Sequence, residues 1–239
     1  MSLTKEENGR EALLLFARYP FTGPVKTRLA AGIGVGNARR LYYCFLKDIF
    51  AQLKKLDHAV EVFVFFTPAA AVLQFRDLFG PGFACLPQEG DTLGERMGNA
   101  FRAVFKKGIS RAVVIGSDLP GLGAAELGEA FARLKEEPAV IGPARDGGYY
   151  LLGLNRAIFS GMVFEKIDWS SPAVFPGTMK RLSELGVKPA VLGALADIDD
   201  LADLKEFYHG GGGRENAPAT VGFIDWALAG LAPYENLQE

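Results

Sequence analysis

Residues 112–120 read AVVIGSDLP, and this stretch indicates both the fold and the position of a candidate site. Four apolar residues in a row predict a strand that is buried on both faces. Gly116 leaves room beside the backbone, and Pro120 favours a turn. Asp118 therefore lies at the carboxyl end of a buried strand, where ligands bind in open parallel sheets.

The segments on both sides of this stretch alternate between strand and helix patterns. Strands are expected at 12–17, 59–66, 83–86, 139–142, 149–154 and, as a short extended segment, 188–192. Helices are expected at 37–56, with Asn37 as N-cap, and at 69–78, 93–107, 124–135, 172–185 and 201–208. This alternation predicts a Rossmann-like three-layer α/β/α fold with a mostly parallel mixed sheet.

Composition excludes several classes of protein. The chain has 239 residues, 49% of them hydrophobic, and a formal net charge of −2, so no overall attraction to nucleic acid or anionic membrane is expected. No stretch reaches the roughly 18 apolar residues that a membrane span needs. The two cysteines, Cys44 and Cys85, have no metal-ligand spacing, and a reducing cytoplasm is the expected setting.

The domain organisation is predicted from one glycine-rich segment, HGGGGRENA at 209–217. Residues 1–208 are expected to form a single domain, and 209–217 a flexible linker. Residues 218–239 are expected to form a helical tail that docks on the body or on a second copy of the chain, which would give a homodimer.

The loop after the first strand, RYPFTGPVKTRL at 18–29, presents Lys26 and Arg28 beside backbone N–H groups. An ammonium and a guanidinium suit a phosphate, although a solvated charged loop is the alternative. The loop is not a Walker A motif, because Pro24 and Val25 separate Gly23 from the lysine. The glycines at 32–36 have the wrong spacing for a dinucleotide fingerprint.

An acidic segment, DIDDLAD at 197–203, supplies candidate metal ligands. Asp197 and Asp199 are two residues apart and point to the same side of an extended chain. The other two carboxylates of the segment are expected to cap the following helix, and capping is also the alternative for Asp118. Asp118, Asp197 and Asp199 together match Mg²⁺ or Mn²⁺ rather than zinc, because no cysteine or histidine accompanies them.

Two further motifs contain closely spaced glycines. Asp146-Gly147-Gly148-Tyr149 predicts a hairpin turn and also lets a substrate lie against the backbone. In QEGDTLGERM at 88–97, Gln88 and the glycines could read a base edge and Arg96 could contact a phosphate, with an ordinary helix entry as the alternative. His58 and His209 lie outside these motifs, so a histidine general base is not expected.

Five motifs in this order resemble one family: FARYPFTGPVKTRLA, QEGDTLGERM, GSDLP, GPARDGGYYLLGL and DIDDLADL. The chain is similar over roughly residues 12–207 to the glycosyltransferase-A-like nucleotide-diphospho-sugar transferases related to phospholactate guanylyltransferase. The resemblance implies a nucleotide-binding sheet, divalent cations and transfer from an activated nucleotide. Asp200-Leu201 stands where the family usually has threonine-proline.

Site residues follow from the resemblance by position. A catalytic role is implied for Asp118, Lys26 and Arg28, and a metal-binding role for Asp118, Asp197 and Asp199. The acceptor side is implied at Asp146, Gly147, Gly148 and Tyr149. The nucleotide-binding set is Ala17, Arg18, Lys26, Arg28, Gln88, Gly94 and Arg96.

Three functions remain open at this point. The favoured one is a metal-dependent glycosyltransferase that uses an NDP-sugar and a small-molecule acceptor. The alternative is a nucleotidylyltransferase that joins an NTP to a phosphorylated small molecule and releases pyrophosphate. A non-catalytic nucleotide-binding module is the third, and fold likeness alone does not decide among them.

Overall fold

Seven strands form one sheet in the part of the chain that the computed structural model describes, residues 9–80, 82–210 and 213–228. The strands are β1 (Glu11–Arg18), β2 (Val60–Thr67), β3 (Ala84–Pro87), β4 (Arg111–Ile115), β5 (Ala139–Pro143), β6 (Tyr149–Asn155) and β7 (Ala190–Val191). The helices are α1 (Thr27–Ile33), α2 (Val35–Leu53), α3 (Val72–Phe79), α4 (Leu93–Lys106), α5 (Ala124–Glu136), α6 (Val174–Glu184), α7 (Leu201–Gly210) and α8 (Pro218–Ala227).

The sheet has the strand order β3-β2-β1-β4-β6-β5-β7. Strands β3, β2, β1 and β4 are parallel to one another, whereas β6 is antiparallel to both β4 and β5, and β7 is parallel to β5. The carboxyl ends of β1, β4 and β5 and the beginning of β6 therefore meet at one edge of the sheet, here called the carboxyl edge.

Helices cover both faces of the sheet, and the central parallel strands β1 and β4 are buried on both sides over most of their length. Leu13 and Leu15 of β1 belong to a core shared with Phe45 of α2, with α1, α3, α5 and α7, and with Ile224 of α8. Leu14 and Phe16, on the opposite face, belong to a second core with α4 and α6. The predicted three-layer α/β/α architecture with a mostly parallel mixed sheet is confirmed.

The region around α1 differs from the sequence-based expectation. Residues 27–33, expected to be loop, form α1, and α2 begins at Val35 rather than after Asn37. Gly34, at φ 83°, separates the two helices, and the Asn37 side-chain amide donates to the Ile33 carbonyl at 3.0 Å. A glycine that readily adopts positive φ ends α1, so the break falls before Asn37.

The C-terminal segment packs on the body through α2. Both carboxylate oxygens of Asp48 accept backbone N–H groups at the start of α8, from Ala219 and Thr220, each at 2.8 Å. Helix α7 continues to Gly210, into the segment expected to be a linker. The division into domain, linker and tail stays a prediction, and residues 229–239 lie outside the described residues.

None of the helices in the described ranges combines the length and the apolar character needed to cross a bilayer.

Candidate functional site

The Lys26 ammonium is the centre of a charged cluster at the carboxyl edge. Its Nζ atom lies 2.6 Å from Asp118 Oδ1 and 2.8 Å from Asp199 Oδ1, and it donates to the Ile198 carbonyl at 2.6 Å. The lysine side chain is 6% exposed. An ammonium has three donors, so these contacts use its full hydrogen-bonding capacity.

Three separate chain segments position this cluster. Lys26 precedes α1 in a left-handed backbone conformation, φ 47° and ψ 52°, which few non-glycine residues adopt. Asp118 follows β4, and the segment before α7 runs beside β5, with the Leu195 N–H donating to the Pro143 carbonyl at 3.1 Å. The Ile198 N–H donates to the Asp118 carbonyl at 3.0 Å, which ties the two acidic segments together.

Burial and charge act in opposite directions on the members of the cluster. Burial alone would lower the pKa of Lys26, but Asp118 and Asp199 outweigh it and the pKa is raised. Burial alone would raise the pKa of Asp199, but Lys26 and Arg28 outweigh it and the pKa is lowered. Lys26 is therefore protonated, and Asp199 is ionised, at neutral pH.

Asp197 lies in an environment with an excess of negative charge. Burial first, and then the nearby charges of Asp146 and Asp199, raise the pKa of Asp197 to about 6. Lys26 offsets this only in part. A carboxyl in such surroundings is stabilised by an additional cation.

The two arginines of the first loop remain accessible. Arg28 pairs with the second carboxylate oxygen of Asp199, and its side chain is 70% exposed. Arg18, also exposed, donates from its guanidinium to the Pro24 carbonyl at 3.1 Å. Both guanidiniums, one at the end of β1 and the other in α1, are thus accessible to a phosphate in solution.

Two residues that the sequence analysis did not single out connect the loops after β1 and β4. The buried Tyr42 hydroxyl accepts the Arg18 N–H at 3.0 Å and lies 2.7 Å from Ser117 Oγ. Burial raises the pKa of Tyr42 to about 12, so the hydroxyl stays protonated. The helical spacing of Tyr42 within α2 resembles that of an ordinary core residue, and no signal in the sequence marks its hydroxyl.

Gln88 and Gly94 are held by protein contacts. The Gln88 amide donates to the Phe65 carbonyl at 3.0 Å and to the carbonyl of buried Ala17 at 3.4 Å, so it bridges the ends of two strands. A Cβ at Gly94 would lie 2.7 Å from the Phe164 carbonyl oxygen. Close packing of α4 therefore explains Gly94, and contact of either residue with a base stays a prediction.

Arg96 stabilises the entry to α4. Its guanidinium donates to the Gly90 carbonyl at 2.8 Å, while Thr92 and Glu95 form a capping box at the start of the helix. The helix entry that the sequence left open as an alternative is thus present, and a phosphate contact of Arg96 stays a prediction.

The turn between β5 and β6 forms the other side of the carboxyl edge. Gly147 has φ 92°, and a Cβ there would lie 2.5 Å from the Pro172 carbonyl oxygen, so glycine is required for two reasons. Exposed Asp146 accepts the Gly148 N–H at 2.8 Å. Tyr149 donates to Met97 Sδ at 3.7 Å and packs against the core, and burial raises its pKa; its place on the acceptor side stays a prediction.

The predicted metal ligands come together in part. Asp118 and Asp199 meet at one cation, but this cation is the Lys26 ammonium. Among the described residues, no group of three or more histidine, cysteine or acidic side chains could hold a metal ion. Mg²⁺ commonly uses one or two carboxylates together with substrate phosphates, so the donor chemistry fits a nucleotide-bound cation, provided that Lys26 moves.

A curated relative and three solved structures are similar to this chain. The 2-phospho-L-lactate guanylyltransferase of Methanocaldococcus infernus is 28% identical over 143 residues, which cover 59% of this chain and 60% of that protein. A proposed nucleotide-diphospho-sugar transferase from Desulfovibrio desulfuricans G20 is 30% identical, with a TM-score of 0.87, and covers 93% of this chain and 97% of its own.

Two more distant structures share the fold alone. A CMP-2-keto-3-deoxy-manno-octonic acid synthetase in complex with CTP is 12% identical, with a TM-score of 0.53, over 82% of this chain and 96% of its own. Rv0371c of Mycobacterium tuberculosis H37Rv in complex with manganese is 13% identical, with a TM-score of 0.51, over 82% of this chain and 97% of its own.

The guanylyltransferase and the Desulfovibrio protein confirm the expected relationship and the expected class of enzyme, a transferase. A family model described as an uncharacterized protein conserved in bacteria matches residues 50–171, about half of the sequence. The chain belongs to this bacterial family, DUF2064.

Proposed function

We propose that the protein is a nucleotidylyltransferase that joins a nucleoside triphosphate to a phosphorylated small molecule and releases pyrophosphate. The observation that carries this proposal is the cluster of Lys26, Arg28 and Asp118 at the carboxyl edge. It supplies two cations and a partly exposed carboxylate where ligands bind in this class of sheet. The guanylyltransferase relative supports the same reaction class.

The proposed reaction needs charge stabilisation more than proton transfer. A phosphate oxygen of the acceptor attacks the α-phosphorus of the triphosphate, the bond to the β-phosphate oxygen breaks, and pyrophosphate leaves with the electron pair. A phosphate is largely ionised at neutral pH, so the nucleophile needs no strong base. In this scheme Arg28 and Lys26 bind the triphosphate oxygens and stabilise the charge that develops there.

Metal dependence is part of the proposal. Mg²⁺ or Mn²⁺ would be held by phosphate oxygens of the nucleotide together with Asp118 and Asp199, and it would neutralise charge on the departing pyrophosphate. Carboxylate oxygens suit these cations, and the negative charges that raise the pKa of Asp197 would attract a cation to this part of the site. A manganese complex of a protein with the same fold adds support.

Glycosyl transfer from an NDP-sugar is the second candidate. It is favoured by the similarity to the Desulfovibrio protein, which is proposed to be a nucleotide-diphospho-sugar transferase. In this reaction the same cations would stabilise a departing nucleoside diphosphate. The acceptor would lie at Asp146, Gly147 and Gly148, on the opposite side of the carboxyl edge.

A pair of product assays separates the two reactions. Pyrophosphate release is measured with each NTP and a panel of phosphorylated acids and alcohols, and nucleoside diphosphate release with a panel of NDP-sugars, both with Mg²⁺ or Mn²⁺. We expect pyrophosphate with at least one NTP and acceptor pair, and no product when Asp118 is replaced by alanine. A nucleotide that raises the melting temperature without either product would instead identify a binding module.

A further inference from the structure

We infer that Lys26 is a resident cation that occupies the divalent-cation position between Asp118 and Asp199 until nucleotide and metal bind together. The ammonium and the divalent cation compete for the same carboxylate oxygens, so the free protein binds metal weakly. The phosphates of a nucleotide offer Lys26 other anionic partners and release the position. This inference deepens the proposed function, on which its nucleotide-dependent half rests.

The contacts of Lys26 carry the first step. Its Nζ atom lies within 2.8 Å of an oxygen from both carboxylates, and the side chain is 6% exposed. A cation that binds Oδ1 of both Asp118 and Asp199 must occupy the space that the ammonium fills. Because all three donors of the ammonium are used within the protein, Lys26 cannot donate to a phosphate without leaving one of these partners.

The second step concerns the free energy of exchange. Removing a buried ammonium from two carboxylates leaves uncompensated charge, which is costly unless both sides obtain new partners. A metal ion alone gives the carboxylates a new partner but leaves the lysine without one. A nucleotide together with a metal ion gives new partners to both. Binding of the two ligands is therefore positively coupled, and the coupling is reciprocal.

Arg28 provides a matched comparison within the same cluster. It also pairs with Asp199, but it contacts the outer oxygen and its side chain is 70% exposed. Removing its charge changes the local potential without vacating the space between the two carboxylates. An effect of charge alone would appear in variants of either residue, whereas an effect of occupancy would appear only at Lys26.

The experiment measures binding of Mn²⁺ to the full-length protein by electron paramagnetic resonance, first without nucleotide. We expect Lys26→Met to bind Mn²⁺ about tenfold or more tightly than the wild-type protein, and Arg28→Met to change the affinity by less than about threefold. Circular dichroism and the melting temperature establish that each variant is folded. Should Lys26→Met not fold, Lys26→Gln, whose side chain is uncharged and ends one bond short of the Nζ position, is measured with the same expectation.

A second series measures coupling with an NTP, with the affinity of the free NTP for Mn²⁺ determined separately. In the wild-type protein the NTP should raise the affinity for Mn²⁺ beyond the contribution of the NTP itself, and in the Lys26 variant this excess should be lost. Unchanged Mn²⁺ affinity in the Lys26 variant, or an equal increase in the Arg28 variant, would overturn the inference. If the Lys26 variant gains affinity but no nucleotide binds or reacts, the proposed function fails and the competition between cations stands.

Discussion

Asp48, which is buried, and Asp199, which is half-buried, accept hydrogen bonds from different kinds of partner. Asp48 is 2% exposed and accepts two backbone N–H groups from the first turn of α8. Asp199 divides its two oxygens between the side chains of Lys26 and Arg28. These backbone donors can leave only if α8 moves away from α2, whereas a side-chain cation can be exchanged for another cation. A carboxylate with backbone partners is thus suited to stabilising the fold, whereas a carboxylate with side-chain cations as partners is suited to exchanging them for a ligand.

The largest effect is expected at the exchangeable cluster. Replacing Asp118 with asparagine removes the negative charge from a side chain that is 44% exposed. Transfer activity should fall about 10²- to 10³-fold, because a ligand of the cation that neutralises the departing pyrophosphate is lost. The free energy of unfolding should fall by about 1 to 2 kcal/mol, because buried Lys26 loses one of its two charged partners and keeps Asp199. Steady-state kinetics and urea titration of the same preparation test both, and a stability loss that accounts for the inactivity would contradict the comparison.

Asp48→Ala should lower stability and leave activity unchanged. Loss of two hydrogen bonds from backbone N–H groups to a buried carboxylate should lower the free energy of unfolding by about 2 to 4 kcal/mol. Activity per folded molecule should be unchanged, since Asp48 lies on α2 and contacts α8. Chemical denaturation gives the first quantity and kinetics at low temperature the second. Asp48→Asn, which retains one acceptor oxygen, serves as the control and should lose less.

Tyr42→Phe tests a group that lies between these two extremes. The change removes a buried hydroxyl that accepts the Arg18 N–H and contacts Ser117. The free energy of unfolding should fall by about 1 to 2 kcal/mol, because both partners lose a hydrogen bond. The KM for the nucleotide should rise several-fold while kcat changes less, because the loops that hold the phosphates become less well aligned. A variant with wild-type KM would show that the hydroxyl serves stability alone.

Trp226→Ser should have the smallest effect. The indole lies on α8 and is 75% exposed, so little apolar surface is lost from the core. We expect the free energy of unfolding to stay within about 0.5 kcal/mol of the wild-type value and activity to be unchanged. Thermal denaturation at two protein concentrations provides the measurement. A concentration-dependent loss of stability would show instead that this side chain contacts a second copy.

Strands and most helices of this protein are readable from the sequence because each depends on local patterns. The apolar run at 112–115 corresponds to β4, and the helical spacing at 93–107 corresponds to α4. Helix α1 was not expected, because its seven residues follow a loop rich in proline and glycine and are too few for an apolar period to appear.

The site was harder to predict because it depends on contacts between distant residues. Lys26 and Asp199 are 173 positions apart, and no local pattern indicates that they meet. The sequence identified the residue types that gather at the carboxyl edge, since strand ends carry ligands in this architecture. It could not indicate that a lysine would lie between the carboxylates, nor that Gln88 would bridge the ends of two strands.

The antiparallel strand β6 has a consequence for how such proteins diversify. A short turn joins β5 and β6 at the carboxyl edge. This part of the edge is therefore the end of a hairpin rather than part of a helical crossover. Insertions at a hairpin end leave the neighbouring strand register intact. We therefore expect a change in the length of this turn to alter the carboxyl edge around Asp146 while the parallel half of the sheet stays the same.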